Sequence, residues 1–345
     1  MSTDDSKALV PQGSGSLSRI KPRRTNPIMQ RMTRDILALL EEQNRLEQVR
    51  FTLGDYEFRE PDYQQILRWA EAWGRSAEEV LEKLVEPVFE DYCPERQIMF
   101  TVLDGRIHSL VWDYDEISPA KEWTWHEGLA IETLVFQSVF SFGCLPIHLP
   151  VSLQTLYCQQ IELEELDLSP MPNLTMLDCS GNQLTTIALS SVPNLKILDC
   201  GHNPLTALDL SPVPDLTELA CYLSPLTTLD LSPVPNLTTL SCGMNQLTEL
   251  HLSPGPNLTI LRCFGNELTY LDLSPVPNLT TLLCHYNQLT ELDLSPVPNL
   301  TVLWCHNNPL TNLDIRPLTN LEELLVDETT RLIGTLPPGC KVEYK

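Results

Sequence analysis

The chain has 345 residues, 42% of them hydrophobic, and a formal net charge of −24, enough apolar material for two or three domains. Residues 1–34 carry seven Lys/Arg against two Asp, residues 35–150 nine against 23 acidic residues, and residues 151–345 six against 21. An acidic body argues against nucleic-acid binding by the bulk of the protein, the lack of any run of about 18 apolar residues argues against a membrane helix, and the opening residues lack the apolar core of a Sec-type signal.

Residues 1–26 are rich in Ser, Gly, Pro and charge, which predicts a disordered basic tail. Its cluster Arg19, Lys21, Arg23 and Arg24 suits either a solvated segment or a docking address. Residues 27–96 read as a small helical domain. Ile28, Met32, Ile36, Leu40 and Leu46 recur near helical spacing over 27–49, and "QVRFTL" (48–53) alternates like a strand. In "PDYQQILRWAEAWG", Asp62 is placed to cap a helix, Ile66, Trp69 and Trp73 to line one face, and Gly74 to stop it. Ser76 and Glu79 form a capping box for "SAEEVLEKLVEPVFE", which Pro87 should end or kink.

The order strand, helix, Gly-Arg-Ser, helix over residues 48–90 resembles the ribbon-helix-helix module, the DNA-binding dimer of many small bacterial repressors and antitoxins. The resemblance implies that Gln48, Arg50 and Thr52 read bases and that the segment is a DNA-binding or antitoxin-like adaptor. Its net acidic charge departs from that family's basic face and favours a plain helical cap or adaptor.

Residues 97–150 read as an N-terminal cap with degenerate repeats. Asp104-Gly105 between apolar runs predicts a hairpin turn. "RIHSLVW" (106–112) and "AIETLVF" (130–136) then anticipate "SLQTLYC" (152–158), with Trp112 and Phe136 in the place of a cysteine. From 151 to 326 the repetition is strict: cysteines fall at 158, 179, 200, 221, 242, 263, 284 and 305, always 21 residues apart. One unit reads Leu174-x-x-Leu177-x-Cys179-x-x-Asn182-x-Leu184-x-x-Ile187-x-Leu189. This pattern resembles the leucine-rich repeat, in its short 21-residue bacterial class. The resemblance implies a mostly β solenoid with a parallel sheet on the concave face and no convex helices, beside the small N-terminal helical domain. Leading apolar positions from Ile107 to Leu321 count about eleven coils, and residues 327–345 are expected to close the stack with Leu332, Ile333 and Leu336.

The period also assigns directions. Leu177 and Cys179 should point inward and Met176 and Asp178 outward, Asn182 should satisfy the turn that leaves the strand, and "SPVPN" should run polyproline-like across the back. Each Cys takes a buried apolar position, no C-x-x-C occurs, and unpaired buried thiols suit a reducing compartment. Without a signal segment, the five N-L-T sequons (173, 236, 257, 278, 299) read as turn residues. A cytoplasmic location is expected, with export without a Sec signal as the alternative.

Repeated positions build the scaffold, so the positions that vary carry the site. Three columns vary on the concave face: the outward strand residue, the residue after each Cys, and the next one. Their C-terminal coils gather Arg262, Phe264, Leu283, His285, Tyr286, Trp304 and His306, and Tyr222 stands apart in the one unit where Asn becomes Ser224. Exposed aromatics with an Arg have the composition of interface hot spots. No P-loop, HExxH, GxSxG, kinase or dinucleotide motif occurs. The sequence therefore reads as a non-catalytic scaffold that recognises a protein partner, without metal or cofactor. The alternatives are an exported bacterial effector that binds a host protein, and the DNA-binding adaptor through residues 48–90.

Overall fold

A computed structural model describes residues 50–53, 56–73, 76–80, 100–103, 106–113, 131–137, 151–252 and 255–345. The predicted basic tail, the helix over 27–49, Gln48, the Asp104-Gly105 turn and the break at Pro87 lie outside them.

The first described elements are strands β1 (Arg50–Leu53) and β2 (Tyr56–Arg59), paired antiparallel with Phe51 opposite Phe58. Helix α1 (Glu60–Trp73) follows at once. It starts two residues before Asp62, with Pro61 in its first turn, where a missing N–H costs nothing. Ile66, Trp69 and Ala70 are buried along one face, as helical spacing requires, together with Gln65. The capping box forms: Ser76 N–H donates to Glu79 Oε2 at 2.8 Å and Glu79 N–H to Ser76 Oγ at 3.2 Å. The expected lone strand is thus one arm of a hairpin within this chain, an element the ribbon-helix-helix order lacks, and the DNA-reading alternative gains no support from it.

The rest is a solenoid. Strands β3 (Phe100–Leu103) and β4 (Arg106–Asp113) pair antiparallel at one edge of a 13-stranded sheet. The sheet continues in parallel through β5 (Thr133–Gln137), β6 (Thr155–Tyr157), β7 (Met176–Asp178), β8 (Ile197–Asp199), β9 (Glu218–Ala220) and β10 (Thr239–Ser241). It then runs through β11 (Ile260–Arg262), β12 (Thr281–Leu283) and β13 (Val302–Trp304). Strand β14 (Asn312–Asp314) leaves this sheet and pairs with β16 (Arg331–Ile333). The main sheet ends with β15 (Glu323–Val326) and β17 (Lys341–Tyr344). Register is in phase throughout, Leu177 opposite Leu198 and Leu240 opposite Leu261, so every coil stacks identical positions.

Inward positions are closed to solvent: the leucines, the valines of "SPVPN" and all eight ladder cysteines are buried. The cysteines are free, and burial pushes the thiols of Cys242 and Cys305 up to about 12 and raises the other six as well. Leu332 packs against the core, whereas Ile333 and Leu336 are exposed at the end of the chain and do not cover it.

A buried asparagine joins each of six coils to the one before. Asn182 Oδ1 accepts the Leu163 amide at 3.0 Å, and its Nδ2 donates to the carbonyls of Cys158 and Cys179 at 2.8 Å each. The motif recurs at Asn203, Asn245, Asn266, Asn287 and Asn308. The sequon threonines form a second ladder, for example Thr238 Oγ1 donating to Thr217 O at 3.0 Å and Thr280 Oγ1 to Thr259 O at 3.0 Å.

The back of each coil departs from the polyproline expectation. In the coil of Leu210, the Val213 amide donates to Leu210 O and the Leu216 amide to Val213 O, both at 3.1 Å. These are two successive tight turns, and they drive the valine into the core. The preceding "LDLS" aspartate anchors them, as Asp209 Oδ1 accepts the Ser211 amide at 2.9 Å. Where "SSVPN" replaces "SPVPN", the same two bonds form, the Val192 amide to Leu189 O and the Leu195 amide to Val192 O, both at 3.1 Å, and the first turn is a 3-10 helix, Leu189–Ser191.

Two outcomes follow. Ser224 stands where an asparagine would serve the Leu205 amide; its hydroxyl donates to Tyr222 O at 3.5 Å, and no such bond to Leu205 occurs among the described residues. Replacing Ser224→Asn is expected to stabilise the chain by about 1–3 kcal/mol, the cost of a buried unmet amide, read as a raised thermal midpoint. Mass-mapped alkylation of the native protein should leave Cys158 through Cys305 unmodified until denaturant is added, while half-exposed Cys340 reacts.

Candidate functional site

Two outward positions per strand face the concave side, and the loop leaving each strand adds two more. In that loop the residue after the one following Cys adopts positive φ: Gln160, His202, Leu223, Met244, Tyr286 and Asn307 lie near 53–56°, and Gly181 and Gly265 at 69° and 65°. The twist aims its amide at the next coil, as Met244 N–H donates to Phe264 O at 2.7 Å and Tyr286 N–H to His306 O at 3.1 Å. A glycine accepts this conformation freely; Leu, Met and Tyr pay about 1–2 kcal/mol for it. Leu223, Met244 and Tyr286 are nonetheless apolar and exposed, at 45%, 49% and 57%.

The structure brings five of the eight predicted site residues into one ring cluster. Phe264 and His285 stack at 4.8 Å and 6°, and His285 and His306 at 4.7 Å and 13°. Tyr286 stands edge-on to both imidazoles, 5.5 and 5.6 Å away, and Trp304 lies 5.6 Å from His285. Such pairs add to area burial and fix the orientation of each ring. Leu283 pairs in register between Arg262 and Trp304. Arg262 Nη1 donates to Ser241 Oγ at 3.3 Å, and Trp304 Nε1 donates to Glu323 Oε1 at 2.7 Å. His306 is 5% exposed, so it backs the patch and does not face solvent.

Tyr222 stands apart from this cluster. Its ring lies over Gly201, where a Cβ would come within 2.6 Å, as Phe264 lies over Gly243 at 2.9 Å. The two glycines let the rings lie flat along the sheet. Sequence reasoning missed Glu323, which pins the Trp304 indole; it turned Met176 outward but left that column, Thr155, Met176, Ile197, Glu218, Thr239, Ile260, Thr281, Val302 and Glu323, out of the candidate site.

Electrostatically, the patch is built for neutral imidazoles. Burial, reinforced by His306, pulls His285 down to about 4. Burial also lowers His306, with Lys345 pulling the same way and Asp327 and Glu343 opposing. Both Nδ1 atoms are buried without a hydrogen-bond partner. Among the described residues no group of three or more His, Cys, Asp or Glu could hold a metal ion, and no helix is long and apolar enough to cross a membrane.

A stack of parallel 21-residue coils, joined by buried asparagines and varied only on its outward columns, defines a repeat protein of the leucine-rich class. The comparisons agree. A family model for leucine-rich repeats in two copies matches residues 172–218 and 277–320. Among solved structures, the functional domain of InlJ from Listeria monocytogenes, described as including a cysteine ladder, is 35% identical with a TM-score of 0.52, over 62% of this chain and 49% of that one. YopM from Yersinia enterocolitica is 26% identical with a TM-score of 0.52, over 70% and 51%. The leucine-rich-repeat protein LIC12759 from Leptospira interrogans has a TM-score of 0.56 over 74% and 75%, and at 19% identity it speaks to the fold alone. This chain spans about half the length of the InlJ and YopM structures. No curated protein matches it. The chain is a leucine-rich-repeat protein, similar to these bacterial examples.

Protonating His285 puts a charge where burial disfavours it. Its folded pKa lies below the ordinary 6.5, so the stability it contributes is present above pH 6.5 and lost as pH falls toward about 4. Asp199, pushed up to about 6 chiefly by burial, acts in the opposite sense: its carboxyl favours the fold at low pH and loses that advantage as pH rises through 6. The expected result is a thermal midpoint that falls more between pH 7 and pH 4.5 in the native chain than in His285→Phe, which keeps the stack and removes the titration.

Proposed function

We propose that this protein is a non-catalytic interaction scaffold that holds a protein partner against the concave face of its sheet. The observation that carries the reading is the set of large apolar side chains at strained backbone positions. Leu223, Met244 and Tyr286 stand exposed where Gly181 and Gly265 occupy the same column without strain. A scaffold requirement alone would favour glycine there. Strained backbone that holds large apolar side chains out in solvent is characteristic of a functional surface.

The ring cluster beside them supports the same reading. Phe264, His285, Tyr286 and Trp304 are fixed by stacking and by the Trp304–Glu323 hydrogen bond before any partner arrives. A pre-ordered aromatic surface loses little side-chain entropy on association, and aromatic residues dominate binding energy where they are rigid and desolvated.

The test separates scaffold from surface. Tyr286→Ala with Trp304→Ala is expected to abolish partner binding, each anchor being worth about 2 kcal/mol or more, without lowering the thermal midpoint of the solenoid substantially. Tyr286→Gly should hold or raise the midpoint while weakening binding. Retention of the same partner by the double variant, measured by affinity capture and then by titration, would move the site off this patch.

A further inference from the structure

The opposite end of the same face carries a different chemistry. Asp178 and Asp199 sit opposite each other on β7 and β8, both half-buried and both outward. Each is oriented by its own turn. Asp178 Oδ1 accepts the Ser180 amide at 3.1 Å and the Ser180 hydroxyl at 2.7 Å, and Asp199 Oδ1 accepts the Gly201 amide at 3.0 Å. Neither carboxylate is ion-paired among the described residues. Tyrosines stand on either side. Tyr157 on β6 is in register with Asp178, and the Tyr222 ring lies over Gly201, the residue whose amide Asp199 holds. Both aspartates lie near enough to Tyr222 to raise its hydroxyl, after burial, and Asp178 adds to the burial that raises Asp199. Two like charges share a poorly solvated site with no counter-charge, an arrangement that a cation relieves. The Tyr222 ring suits the same guest, while the Tyr157 hydroxyl donates to Met176 Sδ at 3.4 Å.

Glu218 on β9 extends the acidic end. Toward the ring cluster the outward strand residues are small, Ala220 on β9 and Ser241 on β10, and the exposed Leu223 and Met244 flank them in the loops that follow. From the aspartate pair to the ring cluster is about five strands, roughly 24 Å at about 4.8 Å per strand, or some seven residues of extended chain at about 3.3 Å each.

We propose that the partner presents an extended segment across this face, with an arginine or lysine between Asp178 and Asp199 and an aromatic or leucine about seven residues away on the Phe264–Tyr286–Trp304 cluster. This rests on the protein-binding reading above and names the chemistry of the partner. Charge complementarity selects the occupant: among the outward strand residues from β6 to β13 and on β15 the carboxylates are Asp178, Asp199 and Glu218 at one end and Glu323, engaged by the Trp304 indole, at the other, against one arginine, Arg262, held by Ser241. The polarity of the face also sets direction, since a segment laid in reverse puts its apolar anchor on two carboxylates.

The probe is a library of random dodecamer peptides displayed on phage and selected on the full chain, with the best peptides then titrated as synthetic peptides. The expected pool carries Arg or Lys spaced about six to eight residues from Trp, Tyr, Phe or Leu. Asp178→Asn with Asp199→Asn, which keeps the Oδ1 acceptors, should weaken the best peptide about tenfold or more. Replacing the peptide's cation by Ala should cost the same on the native chain and nothing further on the double variant. Peptides without a cation preference, or indifferent to the aspartate pair, overturn the inference. If those peptides are still lost with Tyr286→Ala and Trp304→Ala, the protein-binding reading stands while the cationic end falls. A selection that yields no peptide sensitive to either pair overturns both. Sedimentation as a dimer that the aspartate substitutions dissociate would assign the face to a second copy and also overturn it.

Discussion

The amide of a buried asparagine ties each of six coils of this protein to its predecessor. A coil of 21 residues has no helix to satisfy its own backbone and no second layer to cover its apolar side. Where the chain leaves the strand, amides and carbonyls would be buried unpaired, at a cost no short turn recovers. Asn182 and its equivalents meet that demand from within the stack, with Oδ1 on one coil's amide and Nδ2 on the carbonyls of two. Cysteine fits beside them because it is small, apolar and able to give its weak thiol donor to a neighbouring carbonyl, as Cys179 does to Asp199 O at 3.5 Å.

With backbone and core committed to stacking, the outward columns are released from structural duty. The same strand can present Asp178 in one coil, Ser241 in another and Trp304 in a third without altering the register beneath them. The face becomes a sequence of independent choices on a fixed grid, and its two ends acquire opposite character. The aromatic end illustrates what the grid costs: Tyr286 holds its place edge-on to two imidazoles from a left-handed backbone that suits glycine better.

The period of 21 made the solenoid, its inward leucines and cysteines and its asparagines legible in the sequence, because all of them depend on one repeating physical need. The gathering of Phe264, His285, Tyr286 and Trp304 was legible too, since parallel register turns equal offsets into neighbours. Other features were not. Proline fixes φ but leaves ψ free, so "SPVPN" alone did not distinguish an extended run from the two turns that Val213 and Leu216 close. The left-handed column was hidden by its own diversity, and only Gly181, Gly265 and Asn307 hinted at it. Strand β2 was foreshadowed by Gly54-Asp55 between alternating runs, a hairpin signal that the helical reading of the segment obscured. The burial of His306 depends on the following coil, whose Asp327 takes the Asn307 and Asn308 amides and so holds that turn down.

Ser224 has a consequence for how the solenoid comes apart. In a linear stack, stability is a sum of coil terms and nearest-neighbour couplings. The asparagine ladder is continuous from Asn245 to Asn308 and resumes at Asn203 and Asn182, so its weakest coupling falls at the coil of Cys221. That joint lies between the aspartate pair and the ring cluster. The two chemistries of the face therefore belong to separate cooperative blocks, and a segment that bridges them acts as a splint across the seam.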